Sequence, residues 1–574
     1  MKFLLVGINS KFIHTNLAIR YLKEVSREET SFLEFTINQP LDTIYGALLE
    51  EEAQVYGFST YIWNIQECLD LARDLKAVRP QTRIVFGGPE VSYESETFLQ
   101  DHPYVDEILR GEGERAWPIY QEKISQGGDL KDVPNLVYRQ GNQICQNPLA
   151  PYLDLKDLPD PYLEKEDLTN KIAYLESSRG CPFHCAFCLS SVLGPVRFVD
   201  MDRIFSQIQR LLSYGAVQIK FIDRTFNASE KRAFALMDFI QSLKLKDFNF
   251  HFEATAHLMS EKMIDYFSKS PRGLFQLELG IQSTNEKTLK AINRTMDWPR
   301  LKEVVEKIRN QGRTHQHVDL IIGLPYEGVD QFKKSFNDTY SLGAEKIQVG
   351  FLKVLKGSLL KNKAQDYGLV YSLRPPYEIL ETPWLSALEI RQLKVFEDLV
   401  DKFHNEGYFE RSNNHLMKKL DQDPFSYFYN FSLYYKKEGL HLDQHQRKKL
   451  YQILTSYAQF LGQGDSDFYR ALFLDYVQNN QGPLPDYFPQ RQKAYMEKSK
   501  IHDLFRQSRV QDLLGVQDPH IKDLMKKVHP YQLDGKIILV DRRDNPVKIY
   551  EMEEIDDWPN PSLPRGPARP SGKY

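Results

Sequence analysis

The sequence is poor in cysteine. The five it has among 574 residues do not make a disulfide framework, because three of them are packed into eight positions. It has no run of about 18 or more apolar residues, the least that a membrane-crossing helix needs. It also lacks a long stretch of one charge sign. With 74 Lys and Arg against 78 Asp and Glu and a net charge of −4, no electrostatic footprint for a nucleic-acid backbone is present, which disfavours nucleic acid as a partner. Met1-Lys2 leads directly into the strand-sized run Phe3-Leu4-Leu5-Val6-Gly7, without the longer apolar stretch and small-residue cleavage site of a signal peptide. Together these absences predict a cytoplasmic, reduced protein with no membrane partner, in which the clustered cysteines bind something.

What is present falls into several modules, as expected for a chain of this length. In residues 1–125 short apolar runs (3–6, 55–59, 84–86) alternate with amphipathic stretches (16–25, 65–78), which predicts a doubly wound α/β domain. Glycines follow its strands at Gly7, Gly57, Gly87-Gly88 and Gly111, where such sheets bind ligands. Residues 126–170, rich in Pro, Asp and Asn, read as an ordered linker. A second α/β series over 171–374 has strands at 173–176, 218–222, 249–254, 274–279, 318–322 and 346–350. Helices separate them at 201–213, 230–243, 260–268 and 298–311, which predicts a partial (β/α)6 barrel with its functional residues at the strands' carboxyl ends. Helical periodicity dominates 375–530, over 385–403 and 444–461, with an aromatic run at 425–435 read as packing. Residues 531–574 read as a hairpin (536–540 with 547–550) and a Pro-rich disordered tail from 559.

The predicted strand 173–176 runs into Ser177-Ser178-Arg179-Gly180-Cys181-Pro182-Phe183-His184-Cys185-Ala186-Phe187-Cys188, which brings three thiols to one loop at Cys-x3-Cys-x2-Cys spacing. Thiolates are soft ligands for iron-sulfur clusters and for zinc. Three thiolates on a four-iron cluster leave one iron open, as chemistry at the cluster requires. Zinc on the three cysteines and His184 is the alternative, since Cys3His is an accepted zinc set.

This loop, with Phe187 directly before the third cysteine, resembles the signature of the radical S-adenosylmethionine (SAM) superfamily. The resemblance implies a [4Fe-4S] cluster on Cys181, Cys185 and Cys188, SAM chelated by the open iron, and cleavage of SAM to a 5'-deoxyadenosyl radical by an electron from the reduced cluster. It also implies an electron donor such as flavodoxin or ferredoxin. Later segments resemble the family's strand-end motifs and assign SAM contacts to Phe187, Asp223 (in Phe221 to Asn227), Glu253, Gln282, Ser283 and Gly323 (in Asp319 to Pro325). The segment around Asp223 departs from the family's commoner Gly-Gly-Glu form. Read without the resemblance, Glu253 and Gln282 serve equally well as satisfied strand-end polar groups.

An α/β domain ahead of such a barrel resembles the cobalamin-binding module of the cobalamin-dependent radical SAM class. It implies cobalamin contacts from Ser59, Thr60, Gly87, Gly88, Pro89, Gly111 and Glu112, with the corrin between this domain and the barrel mouth. The Asp-x-His-x-x-Gly signature of histidine-ligated cobalamin is missing, and the corresponding loop reads Gly7 to His14, so His14 is read as a polar helix-end residue and not as a cobalt ligand. A ligand-free module that only stabilises the barrel is the alternative for this domain. The C-terminal region resembles the uncharacterised extension of a bacterial branch of the class. The class implies methyl transfer to an unactivated carbon or phosphorus of a small-molecule or modified substrate. The alternatives are a cobalamin-associated rearrangement, cyclisation or oxidation, or a cobalamin or redox sensor without turnover.

Overall fold

The computed structural model describes residues 1–489, 491, 494–517, 520–544 and 546–553, so the tail from residue 559 lies outside the described residues. The chain forms two compact units, residues 1–401 with 424–432, and residues 402–423 with 433–574.

In the larger unit the first sheet is built from β1 (Phe3–Asn9), β2 (Thr30–Thr36), β3 (Val55–Ser59), β4 (Arg83–Gly87), β5 (Glu107–Leu109), β6 (Leu136–Gln140) and β7 (Gln143–Gln146). Its order is β2-β1-β3-β4-β5-β6-β7, parallel through β5 and antiparallel after it. The parallel part has the flavodoxin-like order, with a topological switch point between β1 and β3. Every residue of β1 is buried because helices cover both faces of the sheet. Leu4, Val6 and Ile8 pack with Ile44, Leu48 and Leu75 on one side, and Phe3 and Leu5 pack with Ile19, Trp117 and Tyr120 on the other. The stretch read as a linker over 126–170 therefore needs correction, since a tight turn at Gly141 (φ +59°) folds residues 136–146 into a hairpin that extends this sheet.

The second sheet follows from β8 (Ile172–Leu175), after which the short strands β9 (Ser178–Arg179) and β10 (Arg197–Phe198) form a separate antiparallel ribbon. β11 (Gln218–Phe221), β12 (Asn249–Ala254), β13 (Phe275–Gln282), β14 (His315–Ile322) and β15 (Lys346–Phe351) complete it in the order β8-β11-β12-β13-β14-β15, all parallel. Among the described residues β8 and β15 do not pair, so the barrel is open, as expected. Several of its helices start on side-chain caps that satisfy otherwise orphaned N–H groups. Asp200 accepts from Asp202 and Arg203 for the helix Met201–Ser213, and Asp297 accepts from Arg300 for Trp298–Arg309. The face turned to the helices is apolar: Phe252 stacks on Phe221 and Phe226, and Phe267 of the helix Glu261–Lys269 meets Phe275 edge-on. A small ribbon of β16 (Val370–Tyr371) and β17 (Ile379–Glu381) and the helix Ala387–Val400 close this unit, which runs past the boundary expected near residue 375. The aromatic run beginning at Phe425 is packing, since Phe425 sits among Phe332, Phe336 and Phe396.

In the smaller unit the helices Glu410–Leu420 and Ser466–Asn479 are joined through buried Asp475, which accepts from Ser412 N at 2.9 Å and from Arg411 Nη1 at 3.1 Å. The expected hairpin is present as β19 (Lys536–Asp541) and β20 (Lys548–Glu553), and β18 (Val528–Leu533) adds a third antiparallel strand. Among the described residues no helix is long and apolar enough to cross a membrane.

Candidate active site

The cysteine loop is held rigidly at its base. After β8 the chain enters β9, whose pairing with β10 matches Arg179 to Arg197 and Ser178 to Phe198. Gly180 has φ +98°, and a Cβ there would stand 2.4 Å from the Pro195 carbonyl oxygen, so glycine is required on both counts. Asp223, just beyond β11, lies beneath the loop. It accepts from Ser177 N at 2.7 Å and Ser178 Oγ at 2.8 Å, and the Ser177 hydroxyl also donates to it. Asp223 is 1% exposed, and three donors occupy its two oxygens. The structure thus gives Asp223 the role of anchoring the loop.

Cys185 is buried, Cys181 and Cys188 are half-buried, and none of the three is in a disulfide. Each faces a polar neighbour: Arg294 Nη1 donates to Cys185 Sγ at 3.4 Å, Ser190 N donates to Cys188 Sγ at 3.4 Å, and Thr225 Oγ1 stands 3.8 Å from Cys181 Sγ. Burial raises the Cys181 thiol's pKa, with the Phe183 amide and Thr225 opposing. Arg224 lies in the electrostatic field of Cys188 and Cys181 and is held 3.6 Å from Glu253. These donors and the cation fit the anionic sulfurs of a [4Fe-4S] cluster, whose potential depends on such hydrogen bonds. A single zinc ion fits poorly. Ligand atoms around zinc stand roughly 3.3 to 3.8 Å apart, and among the described residues the one set of three His, Cys, Asp or Glu ligands converging within 4.8 Å lies elsewhere.

The other residues assigned to SAM divide into two groups. Phe187 is half-buried on the loop, and Glu253 is half-buried at the end of β12, its carboxyl raised by burial against the pull of Arg224. Gln282 ends β13 at φ +71°, a strained angle for a residue with a side chain, and folds back over Gly280, where a Cβ would meet its Nε2 at 2.4 Å. A narrow cavity opens beside these strand ends, lined by Thr255, His257, Gly280, Arg294 and Asp297 among others. Ser283 and Gly323 have structural partners instead. Ser283 is fully buried and donates to Glu327 Oε1 at 2.6 Å, while Gly323, at φ +89°, packs where a Cβ would stand 2.7 Å from Ile379. The chemistry of the remaining set fits SAM, with polar and cationic groups around the open side of the cysteine loop.

Apart from Glu253, sequence reasoning missed the inner wall of the barrel. On the sheet face turned away from the helices, alternate residues are polar: Tyr174 and Lys220 on the first two strands, His251 and Glu253 on β12, Glu278 on β13, and His317 and Asp319 on β14. Glu278 accepts from Lys220 Nζ at 3.1 Å, and His251 Nε2 stands 3.0 Å from it. Burial alone would raise the Glu278 carboxyl, but His251 and Lys220 hold it below the usual carboxylate range. Asp319 is raised by burial and by Glu278 and Glu253, and burial lowers His317 to about 3. The signal was available as period-two polarity within strands, notably His-x-His-x-Asp at 315–319.

In the first domain the switch point brings Asn16 Nδ2 to 3.5 Å from Ser59 Oγ. Thr60 is fully buried, its N and Oγ1 both donating to the Gly87 carbonyl at 2.7 and 2.8 Å. Gly88, at φ +115°, crosses so close that a Cβ would lie 2.4 Å from the Thr60 oxygen. Gly111, exposed at φ +65°, has open space where a Cβ would project, Pro89 is exposed, and Gly87 leaves room on its outer side. Bare backbone at the strand ends beside a switch point fits a large ligand such as cobalamin. Glu112 is engaged otherwise, pairing with Arg197 Nη2 at 2.6 Å and Arg179 Nη1 at 3.4 Å and accepting from Leu153 N at 2.8 Å. Glu114 and Glu176 each pair with Arg179 Nη2 at 2.8 Å, so the first domain's carboxyl-end loop is tied directly to the base of the cysteine loop. His14 is held by Tyr174, its Nδ1 2.8 Å from the phenol oxygen, and burial lowers its pKa.

Three family models match: a B12 binding domain over residues 4–120, the radical SAM superfamily over 175–339, and a protein family of unknown function (DUF4080) over 365–549. The cobalamin-dependent radical SAM methyltransferase TokK of Streptomyces tokunonensis is 26% identical over 351 residues, 55% of this chain and 50% of TokK. An uncharacterised methyltransferase of Pyrococcus horikoshii is 24% identical over 290 residues, 48% of this chain and 61% of that protein. The chain thus spans about half to three-fifths of these relatives' length. Among solved structures, the cobalamin-dependent SAM radical enzyme OxsB with aqua-cobalamin and SAM bound aligns with TM-score 0.58 at 15% identity, over 82% of this chain and 78% of OxsB, a likeness of fold.

Proposed function

Because the chain belongs to the cobalamin-dependent radical SAM family and carries an additional C-terminal region, we propose that it is a methyltransferase acting on an unactivated carbon or phosphorus of a small-molecule substrate. When bound, the cluster with SAM supplies hydrogen-atom abstraction and cobalamin supplies a transferable methyl group. The observation that carries this reading is the ion-pair network of Glu112, Glu114 and Glu176 around Arg179 and Arg197, which ties the edge of the first domain's crevice to the loop of Cys181, Cys185 and Cys188. Cys181, Cys185 and Cys188 would hold the cluster, and Asp223 fixes their loop through Ser177 and Ser178. Arg224 and Arg294 offset negative charge beside the thiolates, while Glu253 and Gln282 orient SAM from the strand ends. Ser59, Gly87, Gly88 and Gly111 would edge the cobalamin crevice. His14, bonded to Tyr174, has no role as a cobalt ligand in this reading. The TokK name supports methyl transfer over rearrangement, cyclisation or a sensing role.

The test is anaerobic turnover of reconstituted protein with deuteromethyl-labelled SAM, cobalamin, reduced flavodoxin or ferredoxin as electron donor, and a bacterial metabolite extract. Label in a product together with 5'-deoxyadenosine is the expected outcome. 5'-Deoxyadenosine with no labelled product would replace methyl transfer by another radical reaction, and neither product would remove the enzymatic reading.

A further inference from the structure

Among the described residues the cluster, SAM and cobalamin assignments leave unused one set of converging ligand side chains, two of them buried and one half-buried. His251 on β12, Glu278 on β13 and His317 on β14 stand on three adjacent strands, and one ligand atom from each lies within 4.8 Å of the others. They sit mid-strand, short of the carboxyl ends of β12, β13 and β14, with Glu278 opposite His317 in the register. Both imidazoles are more than nine-tenths buried, His251 at 6% and His317 at 8% exposed. Among the described residues neither ring nitrogen of His317 has a hydrogen-bond partner, and His251 Nε2 faces only the Glu278 carboxylate, 3.0 Å from its Oε2. An orphaned buried polar atom costs about 1 to 3 kcal/mol, and each neutral imidazole has one lone pair to offer, so the unpaired His317 ring beside the His251 and Glu278 pair points to an occupant that accepts lone pairs. The cation now at that carboxylate is Lys220, whose Nζ shares Glu278 Oε2 at 3.1 Å.

We propose that His251, Glu278 and His317 bind a divalent ion of the zinc type inside the barrel, and that the Lys220 ammonium neutralises Glu278 in its absence. Two imidazoles and a carboxylate are an established donor set for such ions, and three protein ligands leave a fourth position for water or a substrate oxygen. Ligand atoms around zinc stand roughly 3.3 Å apart, so the set closes on an ion by small side-chain rotations. Lys220 is half-buried and long, and can withdraw from Glu278 when the ion enters.

The test uses the full-length holoprotein with its iron-sulfur cluster, equilibrated with zinc, dialysed against a weak chelator, and examined by metal analysis and zinc-edge X-ray absorption. One zinc per chain is expected, with nitrogen and oxygen ligands at about 2.0 to 2.1 Å and no sulfur at about 2.3 Å. His251→Ala and His317→Ala should each weaken zinc binding at least 100-fold with iron content retained, and Lys220→Met should strengthen it at least 10-fold. Sulfur ligation, wild-type affinity in the two histidine variants, or zinc retained by neither wild type nor Lys220→Met overturns the proposal. Should a histidine variant lose its iron and so report misfolding, Lys220→Met decides alone, and no gain in its zinc affinity overturns the proposal.

Discussion

The two parallel sheets of the larger unit have the same strand geometry and opposite inner chemistry. In the first, β1 is buried along its whole length and both faces are apolar, with Leu4 and Leu5 looking to opposite cores. In the barrel sheet the helix-facing side is apolar, but the other side carries Lys220, His251, Glu278, His317 and Asp319. The first sheet therefore leaves its proposed ligand contacts to the strands' carboxyl ends, at Ser59 and Gly87, and to the loop beyond β5, at Gly111. The barrel adds chemistry along the strands themselves. A buried polar wall costs desolvation energy unless its groups find partners, so its presence marks a surface meant to meet a ligand, while the closed core of the first sheet marks a support.

The largest effect should come from separating the two sites. Cys185→Ala removes a proposed cluster ligand and should reduce product formation below detection, a loss of at least about 10³-fold on the scale of removing an essential catalytic group. Cobalamin binding by the first domain should persist. Iron analysis and cobalamin absorbance on the same sample check both, and loss of cobalamin along with iron would mean that the two sites are not independent.

Cores should respond to packing loss in proportion to burial. Leu4→Ala, at a fully buried position of β1, should destabilise the larger unit by about 2 to 5 kcal/mol in urea unfolding.

A third test reads the barrel side through a buried carboxyl. Glu327 is raised to about 7 by burial, with the Ser283 and Ser335 hydroxyls donating to it as the opposing influence. Because its folded pKa lies above the unfolded value of about 4.5, the folded state holds the extra proton between these pH values. Stability should therefore fall as pH rises from about 4.5 to about 7, by on the order of 3 kcal/mol. Glu327→Gln should flatten that part of the pH profile, and an unchanged slope in the variant would assign the dependence to other groups.

The smallest effect is expected on the open side of the wall. Gln348, exposed on β15 in register with Asp319, should tolerate alanine within about 0.5 kcal/mol. A cost near that of Leu4→Ala would show that the inner face is a packed core after all and would erase the contrast between the sheets.

Much of this was legible beforehand. The helices 65–78 and 201–213 and the strand 249–254 end where the residue patterns put them, because caps such as Asp200 and the alternation of Phe250 and Phe252 are local signals. At 136–146 a strand-like piece over 136–139 was legible, but its place in the first sheet was not, since its hydrophobic partners come only from that sheet. Asp223, Ser283, Gly323, Thr60 and Glu112 stood at plausible-looking strand ends for ligand contact, yet their polar atoms or missing side chains answer to neighbours far along the chain: Ser177, Glu327, Ile379, Gly87 and Arg197. Arg179, Arg224 and Thr225 lay inside motif segments without a role of their own, and Arg294 lay outside them; all four acquire meaning only beside the thiols and the acidic loop.

The sequence by itself determined the order of modules, the strand-helix periodicity and the spacing of Cys181, Cys185 and Cys188, because each depends on residues close together in the chain. Only the tertiary structure decided which strand-end residues face a ligand and which tie the scaffold. It alone brought His251, Glu278 and His317 within 4.8 Å of one another from three strands, since parallel neighbours are joined through whole helices and their register is set by packing across the sheet.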